Sequence, residues 1–310
     1  MSEAAERSRS PIEVLETAGA TDVGQVRMAN QDAFGEFRNE EQGRHLLLVA
    51  DGMGGHRGGE VASQMTVDTV RDYFTSKSGP AGAFIEAALH EANAIVFDRA
   101  EADGQLAGMG TTAVAMLFDQ TPEAWIAHVG DSRCYRLRDG VMIQLTDDHS
   151  VVGELVRRGQ LTPDEARVHP QSNEILRAIG TQPEVLVDVQ TVEVQPGDRY
   201  LLCSDGLSGM MTDDEIAEVL GSQAPEEAVR TLIDRANLAG GTDNITVQIG
   251  VVGAFGAPVL TGPAPGADAQ ASPAATTRPS PPTEKIDFGA LPWLAAAAAI
   301  ALIAAWWLSS

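Results

Sequence analysis

The stretch from Leu46 to Glu60 constrains this chain most. It reads Leu-Leu-Leu-Val-Ala-Asp-Gly-Met-Gly-Gly-His-Arg-Gly-Gly-Glu. The five apolar residues Leu46 to Ala50 predict a fully buried strand, and that strand is expected to stop at Asp51. Gly52, Gly54, Gly55, Gly58 and Gly59 follow. Glycine permits positive φ and a close approach of backbone. An acid at the end of a buried strand, with the Gly52 carbonyl unobstructed beside it, offers what a hard metal ion needs. The same residues also fit a glycine-rich strand-to-helix turn with Asp51 as an N-cap.

Of the 310 residues, 44% are hydrophobic, so a sizeable core is possible and global disorder is disfavoured. The formal net charge of −23 repels phosphate backbones, which argues against a nucleic-acid partner. It repels anionic lipid head groups too. Clustered aspartates suit divalent cations, although solubility accounts for most of the excess charge. Cys134 and Cys203 each sit inside an apolar run, which points to buried small hydrophobes in a reducing compartment. Residues 1–11 are polar, form no signal peptide and are expected to be disordered.

Residues 254–287 are rich in Pro, Ala, Gly, Thr and Ser, the composition of a linker with nothing to bury. Residues 288–308 carry no charged side chain after Asp287. As a helix they would rise roughly 31 Å, enough to cross a hydrocarbon core. Trp293 at one end and Trp306 and Trp307 at the other suit the two interfaces. A single-pass membrane anchor is expected; a helix docked on the main domain is the alternative.

Between these ends, periodicity predicts strands at 14–20, 34–37, 46–50, 111–118, 124–129, 134–137, 141–145, 185–194, 200–203 and 244–252. Helices are predicted over 60–75, 83–102, parts of 148–168, 213–220 and 226–238. Thr162 and Thr212 are expected caps. The order suits an α+β domain with segregated, mostly antiparallel sheets.

Four acids share one context. Asp51, Asp131 and Asp205 follow apolar runs, and Asp243 precedes one. Each alone reads as a turn or cap. If the strand ends converge, four carboxylates repel one another unless cations sit between them. Oxygen-only donors point to Mg²⁺ or Mn²⁺ rather than Zn²⁺. A pair of such ions can activate a water and hold a transferring phosphoryl group. Phosphate then wants an arginine fork, and Arg27 is the candidate; a surface ion pair with Asp22 or Asp32 is its other reading. His149 reads as structural, and neither Ser132 nor Ser204 has a histidine base with suitable context.

Seven motifs then occur in order: Thr21-Asp-x-Gly-x-Val-Arg27-x-x-Asn-Gln-Asp32, Asp51-Gly-Met-Gly-Gly, Gly110-Thr-Thr112, Gly130-Asp-Ser-Arg133, Leu145-Thr-x-Asp-His-Ser150, Cys203-Ser-Asp-Gly-Leu207 and Gly241-Thr-Asp-Asn-Ile-Thr246. Together they resemble the bacterial form of the 2C-type, metal-dependent (PPM) serine/threonine protein phosphatases, over a domain placed at 12–253. The resemblance implies a four-layer αββα sandwich of two antiparallel sheets flanked by helix pairs. By position it implies that Asp51 bridges two core Mn²⁺ or Mg²⁺ ions and that the Gly52 carbonyl binds one. Asp205 and Asp243 would complete the other. Asp32 matches a water-mediated ligand, and Asp131 with Asp205 matches a weaker third position. Arg27 matches the phosphate clamp. The implied reaction is in-line attack on phosphoserine or phosphothreonine by a metal-bridged hydroxide, opposing a Ser/Thr kinase.

Three positions depart from the family pattern. Met53 stands where many eukaryotic members have a histidine acid, leaving His56 or a metal-bound water for that role. Gln31 replaces a glutamate of some members, and Ser172 replaces a basic residue of the flap. The whole is expected to be a monomer acting on phosphorylated proteins. Its catalytic domain would be cytoplasmic, tethered to the inner membrane.

Overall fold

The computed structural model describes residues 15–55 and 57–253. The expected disordered N-terminus, the linker, the membrane helix and His56 lie outside the described residues. In chain order the elements are β1 (Leu15–Asp22), β2 (Asp32–Asn39), β3 (Arg44–Met53), α1 (Gly58–Ser76), α2 (Ala81–Ala102), β4 (Gly110–Thr111), β5 (Ala113–Phe118), β6 (Glu123–Val129), β7 (Arg133–Arg138) and β8 (Val141–Gln144). Then follow α3 (Val151–Arg157), α4 (Pro163–Arg167), β9 (Asp188–Glu193), β10 (Arg199–Cys203), α5 (Asp205–Ser208), α6 (Asp213–Ser222), α7 (Pro225–Leu238) and β11 (Ile245–Val252).

The strands form two antiparallel sheets. One runs β1-β11-β10-β7-β8 and the other β2-β3-β5-β6-β9, with β4 paired to β3. The apolar run of β3 explains the layering. Leu46, Leu48 and Ala50 pack in one core with Val70, Ile85 and Leu89 of α1 and α2. Leu47 and Val49 point the other way, into a core shared with Tyr200 and Leu202 of the opposite sheet. A strand covered on both faces has no polar side to present, so its sequence does not alternate. A third core joins Leu201, Ile245 and Val247 to Ile216, Leu232 and Ile233 of α6 and α7. The result is the expected αββα sandwich. Cys134 and Cys203 are buried in different cores and unpaired, so neither takes part in a disulfide.

Local chemistry sets several boundaries as expected. Thr162 and Thr212 each close a capping box, with Glu165 and Glu215. The Asp139–Gly140 pair takes positive φ at both residues, 51° and 77°, and turns the β7–β8 hairpin. Other boundaries differ. β3 does not stop at Asp51 but continues to Met53, because Gly52 and Met53 pair with Thr111 and Gly110. The expected strand 111–118 is broken at Thr112, whose hydroxyl accepts from the Asp51 N–H while its own N–H donates to the Asp51 carbonyl. Asp51 therefore sits inside a strand and caps no helix; α1 begins seven residues later. Among the described residues, no helix is long and apolar enough to cross a membrane.

Candidate metal centre

Five aspartates from both sheets gather at one end of the sandwich. Asp32 on β2 is the cross-strand partner of Asp51 on β3. Asp205 opens α5 directly after β10, and Asp243 immediately precedes Asn244 and β11. Asp131 follows the end of β6. Asp32, Asp205, Asp131 and Asp243 all act on the Asp51 carboxyl, so the expected ligands form one electrostatic cluster.

Uncharged side chains hold the two sheets together here. Ser204 Oγ and Thr246 Oγ1, from the β10–β11 sheet, donate to Asp32 Oδ2 at 2.8 and 2.6 Å. Asn244 accepts from the Gln31 N–H at 2.7 Å and donates to the carbonyls of Val23 and Ala29 at 2.9 and 3.0 Å. It thereby staples the loop carrying Arg27 to the start of β11. Gly206 lets α5 press against the same strand: a Cβ there would lie 2.0 Å from the Asn244 carbonyl oxygen. The sequence motifs contain Ser204, Asn244 and Thr246, but nothing in the sequence alone assigned them a task. Their signal was polarity at the ends of otherwise apolar strands.

The electrostatics follow from crowding. Burial pushes Asp32 up to about 7; Ser204 and Thr246 oppose the rise, and Asp205 and Asp243 add to it. Asp51 is raised well above the usual carboxylate range, first by burial and then by Asp32, Asp205, Asp131 and Asp243. Burial and Asp243 push Asp205 up to about 6, relieved by a hydrogen bond with Asp51. Asp131 is raised by burial, Asp205 and Asp148. Carboxyls that raise one another hold a proton or a cation far more readily than an isolated acid does. Asp32 Oδ1 and Asp205 Oδ1 are buried with no hydrogen-bond partner. A buried acceptor without a donor is costly. Clustered hard oxygens, two of them free, fit Mg²⁺ or Mn²⁺.

Arg27 reaches this cluster. Its Nη2 lies 2.6 Å from Asp243 Oδ2, with the guanidinium side chain 47% exposed. It pairs with neither Asp22 nor Asp32. Asp22 Oδ1 accepts instead from Gly24 N and Asn237 Nδ2. Gly52 is buried, and its N–H donates to the Gln31 carbonyl. The Gln31 amide reaches the Gly54 carbonyl at 3.4 Å. A cleft of about 720 Å³ opens beside Asp131, Asp205 and Asp243, and its far wall includes Arg157, Arg167 and Ser172. Ser172 thus faces the cleft from the segment containing α3 and α4, where the flap was expected.

Three further residues form a second group of potential ligands. Ligating atoms of His128, His149 and Asp188 come within 4.8 Å of one another. His149 was expected to be structural, and its ring is in fact hydrogen-bonded on both nitrogens.

Comparison with known proteins agrees with this geometry. The family model described as Protein phosphatase 2C matches residues 24–238. The serine/threonine phosphatase stp of Listeria innocua serovar 6a is 42% identical over 235 residues, covering 74% of this chain and 92% of that protein. The crystal structure of the Mycobacterium tuberculosis serine/threonine phosphatase PstP/Ppp superposes with a TM-score of 0.70 at 39% identity, covering 77% of this chain and 99% of that one. The catalytic domain of PstP in complex with two manganese ions gives 0.69 at 38% identity, covering 77% and 99%. With the fold, the acid cluster and these likenesses in agreement, the chain belongs to the protein phosphatase 2C family of serine/threonine protein phosphatases, which work with Mn²⁺ or Mg²⁺.

Proposed function

We propose that the Asp32–Asp51–Asp131–Asp205–Asp243 cluster is the catalytic centre at which this chain hydrolyses phosphoserine and phosphothreonine in proteins. The supporting observation is the convergence of these acids from both sheets, with Asp32 Oδ1 and Asp205 Oδ1 buried and unpartnered. Asp51, the Gly52 carbonyl, Asp205 and Asp243 would hold two core ions, Asp32 would act through water, and Asp131 with Asp205 would take a weaker third. Bound ions supply a water activated at neutral pH and neutralise the phosphoryl oxygens.

The remaining work falls to the chain. The Arg27 guanidinium, half exposed beside Asp243, can orient two phosphoryl oxygens with paired N–H donors. Its present partner, Asp243, keeps it beside the cluster rather than free in solvent. Ser204 and Thr246 fix one oxygen of Asp32 and leave the other facing inward. The flap wall of the cleft, including Ser172, would contact the polypeptide around the phosphorylated residue. The proton for the leaving serine or threonine oxygen would come from His56 or from a water at the ions.

The physiological role would be to oppose a bacterial Ser/Thr kinase, with the domain at 12–253 working as a cytoplasmic monomer. It would be tethered through the 254–287 linker by the 288–308 helix; the support is the uncharged, tryptophan-flanked tail. Asp51→Ala and Asp205→Asn test the site. Each is expected to lower hydrolysis of a phosphothreonine peptide in Mn²⁺ by at least about 100-fold, the scale on which metal-site residues act. Near-normal turnover in either variant would overturn the assignment.

A further inference from the structure

We propose that His149 is a positioning residue that holds the Gly130–Asp131 turn in place and joins it to the base of segment 151–176, which includes the expected flap residues His169–Asn173. This rests on Asp131 being a metal ligand, as proposed above.

His149 is buried, and it grips Gly130 twice. Its main-chain N–H donates to the Gly130 carbonyl at 3.0 Å, and its ring Nδ1 accepts from the Gly130 N–H at 3.1 Å. An amide N–H can only donate, so Nδ1 carries no proton and the ring proton sits on Nε2. That Nε2–H faces Asp188 Oδ2 at 3.2 Å. The other Asp188 oxygen accepts from Arg177 Nη1 at 2.6 Å. The His128 ring stacks on His149 with centroids 4.6 Å apart, and is itself held by the Asp147 carbonyl at 2.9 Å. Orientation and tautomer of His149 are therefore set from three sides.

The turn needs such a grip. Gly130 has φ of 104° and no side chain to anchor it, and glycine is the residue with most backbone freedom to lose. A Cβ could not be added, since it would come 2.6 Å from Thr112. Asp131, the next residue, is buried, and its carboxyl feels the charge of Asp205. The other side of His149 faces segment 151–176. Its carbonyl accepts from the Leu176 N–H at 2.7 Å, and Ser150 both pairs with Ile175 and caps α3. His149 and Ser150 together thus tie the Gly130–Asp131 turn to both ends of segment 151–176.

The same cluster does not read as a cation site. Of the four ring nitrogens, the buried His128 Nδ1 alone lacks a partner, and an ion would have to displace the His149 Nε2 proton and the Arg177 ion pair. Outer-shell groups of this kind typically change metal affinity 10- to 100-fold.

The test is Mn²⁺ binding to the full-length chain by titration calorimetry, in three variants, each made with and without Asp131→Ala. His149→Phe keeps the bulk and loses both ring hydrogen bonds. His149→Gln cannot place an acceptor where Nδ1 lies, whereas His149→Asn can. Asp131→Ala should abolish the weakest Mn²⁺ step. H149F and H149Q should weaken that step by about tenfold or more, and H149N should restore most of it. With Asp131 absent, none of the three should alter the remaining steps. Equal weakening by H149N and H149Q, or the same loss with and without Asp131, would overturn the inference while leaving Asp131 a ligand. If Asp131→Ala removes no step at all, the assignment of Asp131 fails and takes this inference with it. H149Q and H149N carry the comparison if H149F does not fold.

Discussion

At the scale of single residues, the chain gathers acids that oppose one another and lets hydroxyls and amides decide which oxygens face inward. Asp32 shows how. Two hydroxyls occupy one oxygen, and the other is left buried without a partner. This has a pH signature. Asp32 and Asp205 are pushed up to about 7 and about 6 in the folded protein, against 3.8 for a free aspartate. A group whose folded pKa is raised contributes stability that is fully present below the unfolded value and lost as pH rises through the folded one. In metal-free protein that loss runs from about pH 4 to about pH 7. His149 works in the opposite direction: burial, with His128 and Arg177, lowers it to about 4, so its share is present above its unfolded value and lost as pH falls. The gain in Tm on adding Mn²⁺ isolates the acids, since ions replace their protons. Calorimetry with Mn²⁺ or with EDTA should therefore show a larger gain at pH 8 than at pH 5. Equal gains would contradict the cluster's electrostatics. Asp32 reads as part of a polar loop and entered only through the family resemblance; Asp51, Asp131, Asp205 and Asp243 were legible as candidates in the sequence, because each borders an apolar run. Ser204, Asn244 and Thr246 were not, because their roles exist only once the two sheets meet.

At the scale of elements, legibility followed length and periodicity. The long helices 60–75 and 83–102 and the strand 124–129 emerged within a residue or two of α1, α2 and β6. The four-residue α5 has no room for a helical period and was not foreseen, although it carries Asp205 at its first position. β3 ran past Asp51 because of a long-range partner, β4, that no local pattern announces. Segment 148–168 divided into α3 and α4, each opened by its own side-chain cap. Close packing of α5 on β11 gives a further prediction. Gly206→Ala places a Cβ against main-chain oxygen rather than a yielding side chain. Overpacking of that kind costs about 1–3 kcal/mol, so the urea midpoint of G206A should fall, and Mn²⁺ affinity should fall with it as Asp205 shifts. An unchanged midpoint would show that α5 is free to move.

At the scale of the whole molecule, the sandwich brings acids as far apart in sequence as Asp32 and Asp243 to one end of two facing sheets. Helix layers cover the outer faces, so the strand ends remain the place where polar groups can meet. The tail is a separate matter, argued from sequence alone. The full chain is expected to sediment with membranes, and a chain ending at Gly253 to remain in the supernatant; finding the full chain wholly in the supernatant would refute the anchor. The central claim is that the converging acids hold divalent ions. Anomalous diffraction from crystals of the protein grown with Mn²⁺ tests it most directly. The account predicts manganese peaks in contact with Asp51 and Asp205, with Asp243 on one of them. Crystals showing no peak at these carboxylates, or a peak only at His128, His149 and Asp188, would contradict it.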